Sequence, residues 1–243
     1  IEQKLPAAFC ARMKDLLGDE YPAFLSSYER EMQRGLRINP IKADADAVLA
    51  ALSDLPLRPI PYFSYGYYLD CTAVGTGNHP LHHAGAFYLQ EPAAMLPVAS
   101  AVIERGDYVL DVCAAPGGKS TQLAALIGEE GLLVSNEFVP SRAKILLSNI
   151  ERLGVPNAIV TNTDAAHLRQ WYPACFDVVV VDAPCSGEGM FRKNEDAIAE
   201  WSEENVAMCA ERSFEIISDA SDCLRPGGTL IYATCTFAPE EKE

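Results

Sequence analysis

From about residue 90 onward, short runs rich in Val and Ile alternate with stretches of helical periodicity. The runs are nearly continuous in apolar character, which is typical of strands covered on both faces. The predicted strands are 108–113, 132–137, 158–161, 177–182 and 229–234, and the predicted helices are 119–127, 141–153 and 197–224, the last long enough to be broken. This alternation predicts an α/β fold with a doubly wound, mainly parallel sheet and right-handed crossovers.

The first 75 residues have a different pattern and predict a small α+β domain. The predicted elements are helices over about 5–17 and 21–34, a strand near 36–39 and a helix near 43–52. If the second helix extended far enough, Arg30, Arg34 and Arg37 would share one face, which we interpret as a solvated surface stripe. The sequence therefore predicts two domains, 1–75 and 76–243.

Composition narrows the class of protein. The 243 residues are 49% hydrophobic, with no apolar run of membrane-spanning length and no secretion signal, so we expect a cytoplasmic protein without a membrane partner. The eight cysteines form no CxxC pair, and His79, His82 and His83 lack the spacing of a metal pair, so no metal is expected. The net charge of −15 argues against a broad nucleic-acid-binding surface.

A glycine-rich turn follows the first strand of the predicted sheet. It reads Cys113-Ala114-Ala115-Pro116-Gly117-Gly118 and leads into Lys119-Ser120. Small residues let a ligand approach the backbone, and the helix N-terminus supplies free N–H groups. The turn resembles the end of a phosphate-binding loop, but that motif requires Gly where Cys113 stands, and GxGxxG is absent. We predict a site for the amino-acid end of a nucleoside cofactor, with a ligand-free tight turn as the alternative.

Acidic residues follow the next two predicted strands. Glu137 ends the segment SNE, 26 positions after Asp111. In nucleoside-binding α/β folds, an acid at this place accepts hydrogen bonds from ribose hydroxyls. Asp164, in TNTDAAHL, could contact adenine or could equally be the N-cap of the following helix. Taken singly, an acid at a strand end is common, so both assignments depend on the surrounding motifs.

Two cysteines follow the fourth and fifth strands. Cys185 belongs to DAPCSGEGM and Cys235 belongs to YATCTF. Adjacent parallel strands lie about 4.8 Å apart, so both thiols are expected to face one pocket. A lone cysteine is usually a small buried hydrophobe, which is our interpretation of the others outside the glycine turn: Cys10, Cys71, Cys175, Cys209 and Cys223. Two thiols at neighbouring strand ends instead predict covalent chemistry on an unreactive carbon.

These motifs together resemble those of a known family. DVCAAPGGKS, SNE, TNTD, DAPCSGEGMF and YATCTF resemble the RNA cytosine-5 methyltransferases of the Sun/nucleolar-antigen family, most closely the bacterial branch that modifies small-subunit (16S) ribosomal RNA. Segments such as LRINP and HPLHHAGAFYLQEPAAM extend the resemblance over almost the whole chain. It implies a Rossmann-like class I methyltransferase fold, S-adenosylmethionine as cofactor and RNA as partner. The alternatives are a transfer RNA substrate, or a methyltransferase-like RNA-binding or assembly module without catalysis.

The resemblance also implies where the cofactor lies. S-adenosylmethionine would occupy a cleft lined by residues 113–119, with Glu137 at the ribose, Asp164 on the adenine side and Asp182 bordering both cofactor and base. The chain departs from the family pattern at FAPEEKE, directly after the fifth strand, where the family fold continues with a helix and two strands. We therefore expect domain 76–243 to be truncated, with its last strands missing, and the full-length protein to be a monomer.

A catalytic role for each polar residue follows from the same resemblance. The Cys235 thiolate would add to carbon 6 of cytosine, which makes carbon 5 nucleophilic toward the methyl group. Asp182 would hydrogen-bond ring nitrogen 3, Lys119 would assist electrostatically, and Cys185 would help eliminate Cys235 and release the RNA. DNA cytosine-5 methyltransferases instead take their nucleophile from Pro-Cys, and they carry a Glu-Asn-Val triplet. Residues 204–206 have that triplet, but inside a predicted helix.

Overall fold

The protein is described by a computed structural model over residues 2–70 and 75–242, so Cys71 lies outside the described residues. In chain order the helices are α1 (Ala7–Leu17), α2 (Tyr21–Ser27), α3 (Ala45–Ala51), α4 (Pro80–His83), α5 (Pro92–Ala99), α6 (Gly118–Ile127), α7 (Pro140–Arg152), α8 (Ala165–Trp171), α9 (Glu195–Glu200) and α10 (Glu203–Ser221). The strands are β1 (Arg34–Ile38), β2 (Leu57–Pro59), β3 (Gly66–Leu69), β4 (Phe87–Leu89), β5 (Tyr108–Asp111), β6 (Leu132–Asn136), β7 (Ala158–Thr161), β8 (Phe176–Asp182) and β9 (Leu224–Ala233).

The chain forms two compact units. The larger contains Gln33–Asp182 and Ile216–Ala233. The smaller contains the chain up to Met32, Ala183–Glu215 and the chain from Thr234 onward. The domain boundary at residue 75 stays a prediction. Within the described ranges, no helix combines the length and the apolar character needed to cross a bilayer.

The larger unit contains a five-stranded sheet in the order β7-β6-β5-β8-β9, and every neighbouring pair is parallel. Val109, Leu110 and Val179 on its central strands have no exposed surface, which explains why these strands read as continuous apolar runs. The chain leaves β5 toward β6 and β7, then returns to β8 on the other side. This reversal confirms the doubly wound sheet and opens a crevice at the carboxyl ends of β5 and β8.

The same unit contains an antiparallel sheet in the order β2-β3-β1-β4. Leu36, Ile38 and Phe87 pack with α3 in its core. The helix that we predicted over 21–34 ends at Ser27, and Arg34 begins β1 instead. The prediction of a solvated arginine stripe holds for Arg30 and Arg34, which are exposed, but was wrong for Arg37, because strand pairing puts that residue in the interior, where it has no exposed surface.

Arg37 connects β1 to the first turn of α6. Its Nε donates to Gln90 Oε1 at 3.0 Å, and its Nη2 donates to Thr121 Oγ1 at 2.6 Å and to the Gly118 carbonyl at 3.3 Å. The guanidinium lies 5.8 Å from the centre of the Tyr88 ring. Burial lowers the pKa of Arg37 to about 10, so the side chain stays charged at neutral pH. These contacts fix the start of α6 against the antiparallel sheet.

We expect Arg37→Lys to destabilise the fold by about 2 kcal/mol, because one ammonium cannot replace the planar fork of donors that holds these acceptors. Arg58→Lys is the matched control, since Arg58 also lies over a tyrosine ring but is exposed. Its effect should stay within about 0.5 kcal/mol. Urea unfolding of both variants measures the difference, and equal midpoints would contradict the structural role of Arg37.

Candidate active site

The glycine turn after β5 is held by neighbouring backbone and side chains. The Ala114 N–H donates to the Asn136 carbonyl at 2.8 Å, and Arg142 Nη2 donates to the Ala115 carbonyl at 3.0 Å. Gly117 has φ of 111° at the N-cap of α6, a conformation that favours glycine. Asn149 Nδ2 donates to the Pro116 carbonyl at 2.8 Å. The backbone of residues 113–118 is therefore a preformed surface at the start of a helix.

Asp111, the last residue of β5, is a further candidate site residue, which the sequence motifs did not single out. It has no exposed surface, and its Oδ2 accepts a hydrogen bond from Ser120 Oγ at 2.7 Å. Its Oδ1 has no partner among the described residues. Burial raises the pKa of Asp111 to about 7. The sequence signal that could have identified it is an acidic residue at the end of a buried apolar strand. In the structure, its unpartnered oxygen can accept a hydrogen bond from a ligand.

The two acids predicted to bind the nucleoside lie in different environments. Glu137 is buried, and its Oε1 accepts the Val139 N–H at 2.9 Å. Asp164 is half-buried and caps α8, where its Oδ1 accepts the His167 N–H at 2.9 Å. Hydrogen bonds from the His167 backbone and ring lower the pKa of Asp164. The structure therefore shows Asp164 as the N-cap of α8, the alternative given above, and its contact with adenine stays a prediction. Phe138, next to Glu137, exposes 68% of its surface.

Lys119 and Asp182 form an ion pair at the carboxyl edge of the parallel sheet. Lys119 Nζ lies 2.6 Å from Asp182 Oδ2. The lysine side chain is 13% exposed and the aspartate side chain is 38% exposed. Lys119 belongs to the first turn of α6, and Asp182 is the last residue of β8. The pair therefore brings together two predicted catalytic residues that are 63 positions apart.

The smaller unit brings Cys185 and Cys235 into contact. Their Sγ atoms are 3.3 Å apart, and the Cys235 N–H donates to Cys185 Sγ at 3.3 Å. The hydrogen bond from the Cys235 side chain, with backbone hydrogen bonds from Gly187 and Cys235, lowers the pKa of Cys185 to about 7. Cys185 is half-buried and Cys235 is exposed. The arrangement can share one negative charge between two accessible sulfur atoms.

The remaining cysteines have other environments. Cys10, Cys209 and Cys223 are buried, as predicted. Cys175 is exposed, which contradicts its predicted burial, because it lies in the turn before β8 with its thiol donating to the Pro173 carbonyl at 3.3 Å. Burial raises the pKa of Cys113 to about 12, so its thiol stays neutral. In the ranges that the structure covers, no cluster of three or more His, Cys, Asp or Glu side chains could hold a metal ion.

The contact between the thiols predicts a pH profile. Iodoacetamide alkylates thiolates, so the alkylation rate of Cys185 should rise as the pH passes about 7 and level off above it. Cys235→Ala removes the side-chain hydrogen bond that lowers the pKa most, so the midpoint of the profile should move to higher pH. Peptide mapping by mass spectrometry follows Cys185 in both proteins. An unchanged midpoint in the variant would contradict the shared charge.

Comparisons with known proteins identify the family of the chain. Two family models match the chain: "16S rRNA methyltransferase RsmB/F" over residues 101–243 and "N-terminal domain of 16S rRNA methyltransferase RsmF" over residues 5–92. The curated "Ribosomal RNA small subunit methyltransferase F" of Vibrio vulnificus (strain YJ016) is 38% identical over 247 residues, covering 98% of this chain and 52% of that protein. The chain thus spans about half the length of the curated relatives it matches.

Solved structures share the fold. A methyltransferase homolog protein from Pyrococcus horikoshii has a TM-score of 0.84 at 26% identity, covering 96% of this chain and 74% of that chain. NSun6 from Pyrococcus horikoshii, solved with SFG, has a TM-score of 0.87 at 20% identity, covering 99% of this chain and 86% of that chain. These likenesses confirm the predicted class I methyltransferase fold.

Proposed function

This chain belongs to the RsmB/F family of 16S rRNA methyltransferases, and we propose that it transfers a methyl group to carbon 5 of a cytosine in small-subunit ribosomal RNA. The observation that carries the proposal is the 3.3 Å contact between the Cys185 and Cys235 sulfurs. Carbon 5 of cytosine is unreactive until a nucleophile adds to carbon 6, and a thiolate is suited to that addition. Methylation of an oxygen or an amino group would not need it.

S-adenosylmethionine is the cofactor, and the residues at the carboxyl edge fit it. The unpartnered Asp111 Oδ1 can accept a hydrogen bond from a cationic amino group, and residues 113–118 lead into the N-terminus of α6, which favours the carboxylate of the methionine end. Glu137 would hold the ribose hydroxyls and Asp164 would lie on the adenine side. When bound, the cofactor supplies an electrophilic methyl group. The protein's contribution is to hold the cytosine and make its carbon 5 nucleophilic.

The thiol pair then supplies the covalent chemistry. A proton shared between the two sulfurs moves to Cys185, so that Cys235 adds to carbon 6 as the thiolate. Asp182 hydrogen-bonds ring nitrogen 3 by passing on a proton from Lys119, its ion-pair partner, and this proton neutralises the negative charge that addition places on the ring. After methyl transfer, solvent takes the carbon-5 proton and its electron pair re-forms the double bond between carbons 5 and 6. Cys235 then leaves as a thiolate, and Cys185 assists that release by returning the proton that it received. We propose that domain 76–243 performs these steps and that domain 1–75 contacts the RNA.

The test uses 16S ribosomal RNA with tritium on carbon 5 of its cytosines, methylated by the protein expressed from its complete gene. We expect one tritium released for each methyl group transferred, because the carbon-5 hydrogen must leave. Methyl transfer without tritium release would contradict reaction at carbon 5. Transfer RNA labelled in the same way is the second substrate, and preferential methylation of transfer RNA would overturn the ribosomal assignment. Absence of methyl transfer with intact cofactor binding would favour a binding module without catalysis.

A further inference from the structure

We propose that two buried carboxylates, Glu188 and Glu241, are positioning residues that hold the Cys185 and Cys235 sulfurs within reach of each other. The inference rests on the proposed function, in which the two thiols act in sequence. Each sulfur lies on its own loop, and the loops are 50 residues apart in the chain. An active-site contact between two loops needs supporting residues with little freedom of their own.

Glu188 extends from the Cys185 loop to the backbone that follows Cys235. Its side chain has no exposed surface, and its Oε2 accepts the Phe237 N–H at 3.0 Å. Its Oε1 accepts Trp201 Nε1–H at 2.9 Å and pairs with the Arg12 guanidinium. The carboxylate is therefore held in one orientation by two side chains while it binds the segment that carries Cys235.

Glu241 makes the reciprocal connection. It lies six positions after Cys235 and is 2% exposed, and its Oε2 accepts the N–H of Ser186, the residue directly after Cys185, at 2.9 Å. Its Oε1 accepts a hydrogen bond from Ser186 Oγ, which also lies 2.8 Å from Thr236 Oγ1. Each loop thus provides a buried carboxylate that binds a backbone N–H of the other loop, within two residues of its cysteine.

A backbone hydrogen bond completes the connection. The Gly189 N–H donates to the Cys235 carbonyl at 2.7 Å. A Cβ added at Gly189 would lie 2.8 Å from that oxygen, so the close approach requires glycine. Together the three contacts fix the backbone on both sides of the sulfur pair. Buried ionised groups are a costly way to stabilise a fold, since apolar residues of similar volume often serve as well or better. Positioning the two thiols explains why these carboxylates are buried, whereas packing alone does not.

The test compares variants of Glu241 that separate charge from reach. Glu241→Gln keeps the length of the side chain and an oxygen acceptor for the Ser186 N–H. Glu241→Asp keeps the charge but is one methylene shorter, so the carboxylate cannot reach that N–H without moving a loop. The readout is the equilibrium of the two thiols with oxidised and reduced glutathione, in which two thiols and one glutathione disulfide give a protein disulfide and two glutathione thiols. This equilibrium reports how closely the sulfurs are held.

We expect the equilibrium constant for closing the disulfide to fall about tenfold in Glu241→Asp, the ratio that corresponds to losing one buried hydrogen-bond partner, and to change about twofold or less in Glu241→Gln. Glu188→Gln should also lower it, because it leaves Arg12 without its carboxylate. Met13→Ala is the control: Met13 is buried in the core of the same unit, so the variant should lose thermal stability with an unchanged thiol equilibrium.

The outcomes separate this inference from the proposed function. An unchanged equilibrium in Glu241→Asp would overturn the positioning role, and so would an equal fall in Met13→Ala. If Glu188→Gln leaves the equilibrium unchanged, the Glu188 half of the inference is wrong. If the equilibrium falls as expected but the wild-type protein transfers no methyl group to RNA, the carboxylates position the thiols and the proposed function fails. If both hold, Glu241→Asp should lower kcat with little change in KM for S-adenosylmethionine.

Discussion

Replacing Cys235 by alanine is expected to abolish both methyl transfer and covalent capture of RNA, whereas replacing Cys185 by alanine should accumulate a methylated protein–RNA adduct. Loss of a nucleophile removes the route through carbon 6, and comparable losses in other enzymes lower the rate by about ten-thousandfold or more. Loss of Cys185 leaves the nucleophile in place. It removes the group, 3.3 Å from Cys235 Sγ, that assists the second half of the reaction.

A denaturing gel with label in the RNA and a separate label in the methyl group distinguishes these outcomes. Cys185→Ala should give a shifted band that carries both labels, and Cys235→Ala should give none. The control is Cys175→Ala, because Cys175 is an exposed thiol in the other unit and should leave the reaction unchanged.

The reverse pattern would support a different chemistry with the same atoms. If Cys235→Ala trapped RNA and Cys185→Ala did not, Cys185 would be the nucleophile, as in the DNA cytosine-5 methyltransferases. The position of the Glu-Asn-Val triplet bears on this alternative. Residues 204–206 lie within α10, as predicted, and not at a strand end. The geometry of the triplet therefore gives no support to the DNA-type mechanism.

The sequence was most informative where a local pattern decides the structure. All five strands of the parallel sheet were predicted, and burial on both faces explains the continuous apolar runs of the central strands β5, β6 and β8. β9 nevertheless begins at Leu224, five residues earlier than predicted, and the predicted helix over 197–224 is divided into α9 and α10. Ends of elements depend on capping and on neighbours, which a periodic pattern does not contain.

Contacts between segments far apart in the chain could not be predicted from the sequence. The burial of Arg37 depends on acceptors at Gly118 and Thr121, more than 80 positions away. Likewise, Glu188 and Glu241 each accept a backbone hydrogen bond from the opposite loop. From the sequence alone, each of these residues is expected to be an ordinary surface charge, because charged side chains are seldom buried without a partner. Only the fold identifies the partners, so only the fold distinguishes these charges from solvated ones.

Replacing Asp182 by asparagine is expected to lower kcat/KM for RNA methylation by about a hundredfold to a thousandfold. The asparagine fills the same space and can donate to ring nitrogen 3, but it has no charge to pair with Lys119, 2.6 Å away, and cannot pass a proton from that lysine to the ring. Asp182→Ala should be worse, because it also removes the hydrogen bond. Single-turnover assays at saturating cofactor measure the chemical step. Asp219→Asn, which breaks the 2.9 Å pair with Arg169 in the same unit, is the control and should leave the rate unchanged.

Lys119→Met decides whether Asp182 and Lys119 act as one unit. If the cation stabilises the charge on the ring only through its contact with Asp182, the double variant should be little slower than Asp182→Asn alone, because residues in contact are not additive. Independent roles would instead multiply the two losses. A wild-type rate in Asp182→Asn would contradict its place beside the cytosine. In that case, covalent capture of RNA by Cys185→Ala would show that addition of the Cys235 thiolate activates the ring without help from Asp182.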